Sequence, residues 1–281
     1  MSKFVKTASV SEHAVCAMYE PLNKEEVVRL LESIPVGGSV SRLCLFSASL
    51  SYEHAVEISK MLKLTETLQV LNLGENYDIG DRGTAVLADA LEHNETIIHV
   101  NFENINISDS GAFAIGKCLQ VNRSILSLNL QYNSIGCQGM SSSTLEVGIG
   151  DSLKVNRTLT ELILNGNDIG SEGVKSLRDA LKTNNTLQIL KIARNGIDDI
   201  GARLLSDGLK VNCSLRELDI RNNNIDIDGS MMILEAVGRP LLLFDRINLS
   251  GNRYSYDNTK VFKLNSFVKE HAFLNNKIAC L

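Results

Sequence analysis

Apolar residues recur along this chain in the order apolar-x-x-apolar-x-apolar. Segments of this kind start at Val40, Leu68, Ile97, Ile125, Leu159, Leu187, Leu215 and Phe244. The steps between starts are 28, 29, 28, 34, 28, 28 and 29 residues, which marks an internal repeat of eight units. In Leu187-x-x-Leu190-x-Ile192 the last positions alternate, which predicts a short strand with one buried face. After each strand the spacing changes to three and four, as in Ile169, Gly173, Leu177, Ala180 and Leu181. That period predicts a helix with one apolar face.

Polar residues also keep register. An Asn follows the strand in six units, at Asn76, Asn133, Asn167, Asn195, Asn223 and Asn252. An Asn there can turn inward and bond the backbone of neighbouring coils, whose buried polar groups need partners. The first and third units carry Ala48 and Ile105 instead, so their corners must be satisfied otherwise. A Gly recurs at the helix start, at Gly83, Gly111, Gly139, Gly173, Gly201 and Gly229. Gly in a helix costs about 1 kcal/mol relative to Ala, so its repetition predicts a close approach to the strand or the next coil. Each helix ends in a phrase such as Asp179-Ala-Leu-Lys-Thr-Asn184. An Asn at a helix end tolerates the left-handed conformation nearly as well as Gly, and that is the expectation for Asn94, Asn156, Asn184 and Asn212.

The unit L-x-x-L-x-L-x-x-N-x-I-G-x-x-G-x-x-x-L-x-x-x-L-x-x-N-x-[ST] resembles the 28-residue, ribonuclease-inhibitor-like subtype of leucine-rich repeat, over about three quarters of the chain. The resemblance implies an α/β solenoid, an open arc with a concave parallel β-sheet and convex α-helices. Strands repeat about every 4.8 Å and packed helices about every 8–10 Å, so such a stack bends with its helices outward. The eight repeats span residues 40–253. Residues 1–39 are expected to form an N-terminal helical cap, in which Asn23 and Glu26 read as a capping box. Residues 254–281 are expected to form a C-terminal cap, with Tyr254, Tyr256, Phe262, Phe267 and Phe273 as an aromatic plug. The six extra residues of the fourth unit lie within 139–150. They read either as a tolerated bulge on the convex side or as a second contact site.

Composition narrows the function. Aromatics make up 5% and Trp is absent, so the core is aliphatic. The net charge is −5, with no run of five like charges, which speaks against nucleic acid or a polybasic membrane patch as partner. Met1 to Val10 has no apolar core of a secretory signal, and no stretch of 18 apolar residues occurs. Of the six cysteines, none forms a C-x-x-C pair, so free thiols in a reducing, cytoplasmic setting are expected. No metal-ligand spacing or cofactor motif occurs, and a monomer is expected.

Two local motifs are absorbed by the repeat. Gly150-Asp151-Ser152-Leu153 spells the GDSL esterase signature, yet the same phrase recurs at Asp179 and Asp207 without the Ser. No base is evident for Ser152, since the five His are scattered. Five N-x-[ST] sequons fall at one repeat position, which makes Asn94, Asn122, Asn156, Asn184 and Asn212 structural.

The third, fifth and seventh positions of each unit should face into the arc, with the eighth at its rim. The frame repeats, but these columns vary. They assign the partner-binding surface to His99, Asn101, Glu103, Asn129, Tyr132, Glu161, Lys191, Arg194, Glu217, Asp219, Arg221, Arg246 and Asn248. Arg and Tyr are favoured interface anchors. The same charges could instead pair among themselves, Glu217, Asp219 and Arg221 with Arg194 and Arg246. The resemblance implies a eukaryotic, non-enzymatic scaffold that binds a protein partner on the concave face. Its alternatives are a regulator of an enzyme (a small-GTPase activator or a nuclease inhibitor) and an axonemal or receptor-associated subunit. No cofactor and no catalytic residue is expected.

Overall fold

A computed structural model of the chain describes residues 9–10, 13–34, 37–238, 244–253 and 278–279. Strands and helices alternate in one continuous coil. The strands are β1 (Ser9–Val10), β2 (Ala14–Cys16), β3 (Arg42–Cys44), β4 (Val70–Asn72), β5 (His99–Asn101), β6 (Ser127–Asn129), β7 (Glu161–Ile163), β8 (Ile189–Lys191), β9 (Glu217–Asp219), β10 (Arg246–Asn248) and β11 (Ile278–Ala279). The helices are α1 (Lys24–Glu32), α2 (Tyr52–Leu62), α3 (Gly80–Glu92), α4 (Asp109–Val121), α5 (Cys137–Met140), α6 (Ile149–Ser152), α7 (Gly170–Leu181), α8 (Asp199–Leu209) and α9 (Ile227–Val237). The strands form one open sheet in chain order. Every neighbouring pair from β2 to β11 is parallel, and β1 is antiparallel to β2. This is the α/β solenoid that the repeat implied.

The core is a stack of aliphatic layers between sheet and helices. Leu43, Leu71, Val100, Leu128, Leu162, Leu190, Leu218 and Ile247 form one buried column along the strands. Leu50, Ile79, Ile107, Ile135, Ile169, Ile197 and Ile225 form another where each helix begins. Each such side chain contributes about 1.5–3 kcal/mol by burial, so the array needs no large central core.

The asparagines form two ladders. In the first, Asn76 Oδ1 accepts the backbone N–H groups of Ala48 and Leu50, each at 2.9 Å, and its Nδ2 donates to the carbonyls of Leu45, Leu73 and Gly74. Each Asn thus serves the coil before its own. Asn223 repeats the arrangement on Asn195 and Ile197. Ala48 therefore lacks nothing itself. The coil before it closes by backbone alone, with Leu22 N–H donating to Ala48 O. Where Ile105 replaces the Asn, the preceding coil makes a 3-10 turn over Tyr77–Ile79, and Gly80 N–H donates to Ile105 O at 3.0 Å. That turn accommodates the one extra residue of the second unit.

The second ladder corrects an expectation. Asn94, Asn122, Asn156, Asn184 and Asn212 do not take the left-handed conformation. They are buried. Asn184 Oδ1 accepts Thr186 N–H and Leu187 N–H, and its Nδ2 donates to Leu153 O and Asn156 O of the coil before. The amide here is worth more as a buried bracket than as a backbone kink. The left-handed position is the eighth instead: Ser47, Glu75, Asn104, Tyr132, Gly166, Arg194, Asn222 and Gly251 all have positive φ.

The helix-start glycines have the steric cause foreseen: an added Cβ would meet the Ile four residues back in its own coil, as at Gly83, Gly173 and Gly201, and also the preceding coil. A Cβ on Gly201 would stand 2.7 Å from Ser171 Oγ, and one on Gly139 would stand 2.7 Å from Ala112 Cβ. The same contact passes a cap along the array. Asp81 Oδ1 accepts Ser108 N–H and Gly111 N–H, and Asp109 Oδ1 accepts Gly136 N–H and Gly139 N–H. A carboxylate at one helix start thereby satisfies open N–H groups of the next.

The N-terminal segment is more than a helix. The Asn23–Glu26 capping box forms as expected, with bonds of 2.9 and 3.0 Å. In addition β2 lies in register with β3, Val15 and Ala17 are buried, and Tyr19 is left-handed like every eighth position. The segment is a coil of its own. The C-terminal aromatic residues lie outside the described residues, while β11 pairs with β10.

Candidate functional site

The concave face is built by strands only three residues long, in strict register. Arg42, Val70, His99, Ser127, Glu161, Ile189, Glu217 and Arg246 are successive Cα partners in the third column. In the fifth column an Asn or Asp folds back on its own strand end. Asn101 Oδ1 accepts Glu103 N–H, Asn129 Oδ1 accepts Gln131 N–H, Asp219 Oδ1 accepts Arg221 N–H, and Asn248 Oδ1 accepts Ser250 N–H. These side chains spend part of their capacity on the frame.

Towards β8–β10 the face sinks into a polar depression of about 400 Å³, lined among others by Lys191, Glu217, Asp219, Arg221, Arg246 and Asn248. Lys191 Nζ pairs with Glu161 at 3.3 Å across β7 and β8, and Glu161 also accepts the Ser127 hydroxyl at 2.7 Å. Arg221 Nε pairs with Asp219 at 3.2 Å within one coil. The alternative, in which Glu217 pairs with Arg194 and Arg246, does not form: none of the three makes an ion pair among the described residues. Arg194 and Arg246 are exposed and Glu217 is half-buried. Asp219 is 7% exposed, so it orients Arg221 and offers little surface itself.

The other residues named from sequence lie further along. His99 is exposed on β5, and Asn101 and Asn129 are half-buried. Asn129 Nδ2 reaches Glu103 at 3.4 Å. The Tyr132 ring, 47% exposed, lies over Gly166, where there is no side chain to lift it.

An aromatic pair at the opposite end was not singled out in sequence. Tyr19 and Phe46 meet edge to face with centroids 5.6 Å apart, and a Cβ on Gly74 would touch the Phe46 ring at 2.9 Å. Tyr19 falls outside the consensus units, so the repeat gave no column to place it in.

Ser152 is fully buried, and its hydroxyl donates to Ile149 O at 2.7 Å. Asp151 pairs with Lys154. The GDSL phrase is thus a helix-end segment without a catalytic arrangement. Among the described residues no group of three His, Cys, Asp or Glu is placed to hold a metal ion.

These features together define a leucine-rich-repeat solenoid with a polar, sequence-variable concave sheet. A family model described as Leucine Rich repeat matches residues 121–142, 155–177, 183–206 and 211–234, which carry β6 to β9. No curated protein matches. Among solved structures, one titled "Leiomodin-1 Actin-Binding Site 2 (ABS2)" is similar over 56% of this chain and 89% of its own, with 25% identity and a TM-score of 0.43.

Proposed function

We propose that the chain is a non-enzymatic interaction scaffold of the ribonuclease-inhibitor-like kind, and that in the cytoplasm it holds a partner protein in the concave depression between Glu161 and Asn248. One observation carries this reading: the frame is fixed and the face is not. Frame asparagines are buried and committed to hydrogen bonds in coil after coil. The third and seventh concave columns change from coil to coil, and among the described residues Arg194, Glu217 and Arg246 make no ion pair. An Arg guanidinium is a planar, preorganised fork, so less entropy is lost per hydrogen bond than with a Lys. A partner that brings carboxylates to Arg194 and Arg246, and a cation or amide to Glu217, completes the pairing.

The test compares the wild-type chain with an Arg194→Glu/Glu217→Lys/Arg246→Glu chain, both tagged and purified from the cells that make the protein. These positions are chosen because Asp219 and Arg221 brace the sheet and the three do not. The expected result is loss of one or more partners from the reversed chain at unchanged melting temperature. Equal recovery of every partner by both chains would sink the concave site.

A further inference from the structure

Cys16 and Cys44 stand side by side at the N-terminal end of the concave sheet. β2 and β3 are parallel, and the two cysteines are Cα partners in their register. Both thiols are free and half-buried. Being opposite one another on neighbouring strands, they project from the same face of the pleat. Neighbouring strands lie about 4.8 Å apart, inside the Cα separation of about 4.4–6.8 Å that a disulfide spans. Parallel register holds the Cβ atoms about as far apart as the strands, slightly beyond the roughly 3.8 Å usual for a disulfide. Closure therefore needs only a small approach of β2 to β3, and the bond formed is strained. Burial pushes the Cys44 thiol up to about 11, the neighbouring Cys16 adds to the rise, and Arg42 opposes it. Two thiols that disturb one another in this way are close neighbours. Among the described residues Cys118 is buried inside the array, and Cys137 and Cys213 belong to separate coils.

We propose that Cys16 and Cys44 form a reversible disulfide-forming site that reacts with low-molecular-weight disulfides. In the first step one cysteine, as thiolate, attacks a sulfur of the small disulfide. The S–S bond of the reagent breaks, and one small thiolate leaves and takes up a proton. In the second step the other cysteine gives up its proton and attacks the protein-side sulfur of the mixed disulfide, which expels the second small thiol. The pair has lost two electrons and two protons, and one small disulfide has become two thiols. The new bond ties the N-terminal coil to the first consensus repeat and constrains the unfolded chain. Its strain makes it easy to reduce, so the tie is switchable.

The test treats the reduced full-length chain with oxidised glutathione under native conditions. Expected is a loss of two hydrogens by intact mass, a Cys16–Cys44 cross-linked peptide after digestion, a raised melting temperature, and reversal of all three by dithiothreitol. The Cys16→Ser and Cys44→Ser chains should each retain one glutathione at the remaining cysteine and show no such rise. Glutathione retained on either cysteine without a Cys16–Cys44 cross-link, or both thiols left unreacted, in the wild-type chain overturns the proposal. So does a cross-link from either to a different cysteine. The wild-type peptide map decides this even where a Ser variant folds poorly.

Discussion

Asn133 completes the corner beside Ile105: its Oδ1 accepts the Ile105 N–H at 3.2 Å and the Ile107 N–H at 2.9 Å, one coil back. Its Nδ2 donates to Phe102 O and Leu130 O, both at 2.9 Å. Asn133→Ala leaves the Ile105 and Ile107 N–H groups and the Phe102 carbonyl without this partner, while Leu130 O keeps the Asn167 amide at 3.0 Å. An unsatisfied buried group costs about 1–3 kcal/mol, so a loss of roughly 3–5 kcal/mol is expected for the set, at the top of the range for single substitutions. Asn252 makes the same bonds in the last consensus coil while half-exposed, and Asn252→Ala should cost distinctly less. Urea unfolding of both variants checks the order. Equal losses would mean that water replaces the amide equally well at both places.

This corner also shows what sequence can and cannot carry. A period of 28 residues and an Asn in six of eight units suffice to place strands, helices and an inward amide, because each is a local pattern repeated many times. Which coil the amide serves is not local. Asn76 and Asn133 each reach back about one period, so the gaps at Ala48 and Ile105 fall on the coils before them. The Asn at the helix end has the composition of a left-handed cap, but its burial against the preceding coil decides otherwise. The N-terminal coil escapes a pattern search because Val15 and Ala17 stand where leucines recur elsewhere, and only the register of β2 with β3 reveals it. On the concave face, sequence named the columns. The pairing of Lys191 with Glu161, and the lack of a pair at Arg246 among the described residues, depend on side-chain reach across strands.

His54 should make the N-terminal half sensitive to mild acid. Its Nδ1 accepts the Ser51 N–H at 2.9 Å at the start of α2, while its Nε2 is buried with no close hydrogen bond among the described residues. Burial lowers its pKa below the ordinary 6.5, against the opposing pull of Glu53 and the Leu22 carbonyl. A depressed folded-state pKa means that the neutral ring is favoured in the native chain. Its contribution is complete above pH 6.5 and is lost as pH falls through the lowered value. His54→Gln keeps a capping-box acceptor and removes the titration. Denaturation midpoints measured from pH 7 downward should fall for wild type and stay flatter for the variant. Asp198, lowered chiefly by the Ser171 hydroxyl, acts in a separate window, losing its contribution as pH drops below 3.8. Parallel curves for the two chains through the His54 window would rule out this role.

Gly166 is held in the left-handed region that glycine adopts most readily and where Tyr132 needs room. Its φ is +68°, and an added Cβ would stand 2.6 Å from Tyr132 Cδ1. Gly166→Ala therefore meets two costs, about 1–2 kcal/mol for the left-handed backbone and a steric cost from the ring. A total of roughly 1–3 kcal/mol is expected. Only the ring contact can be relieved by Tyr132→Ala. A double-mutant cycle should thus show coupling between the two positions, with a residual loss that persists without the ring. Additive losses would place the whole effect in the backbone.

The insertion in the fourth unit separates into a locked part and a free part, and two substitutions tell them apart. Its second half is wedged against α4: a Cβ on Gly116 would collide with Val147 O and stand 3.0 Å from Gly148 C. Gly148 in turn lies against Met140, and Gly150 against Ser176. Its first half holds Leu145, 92% exposed, in a turn closed by Ser143 and Glu146. In an open helix Gly→Ala gains about 1 kcal/mol of propensity. At Gly116 the obstacle is backbone that has no alternative rotamer, so Gly116→Ala is expected to destabilise by roughly 1–3 kcal/mol despite that gain. Leu145→Ser touches nothing packed and should stay within about 0.5 kcal/mol of wild type. Thermal unfolding of both chains reads the contrast. A stabilised Gly116→Ala chain would show that the insertion is not seated on α4.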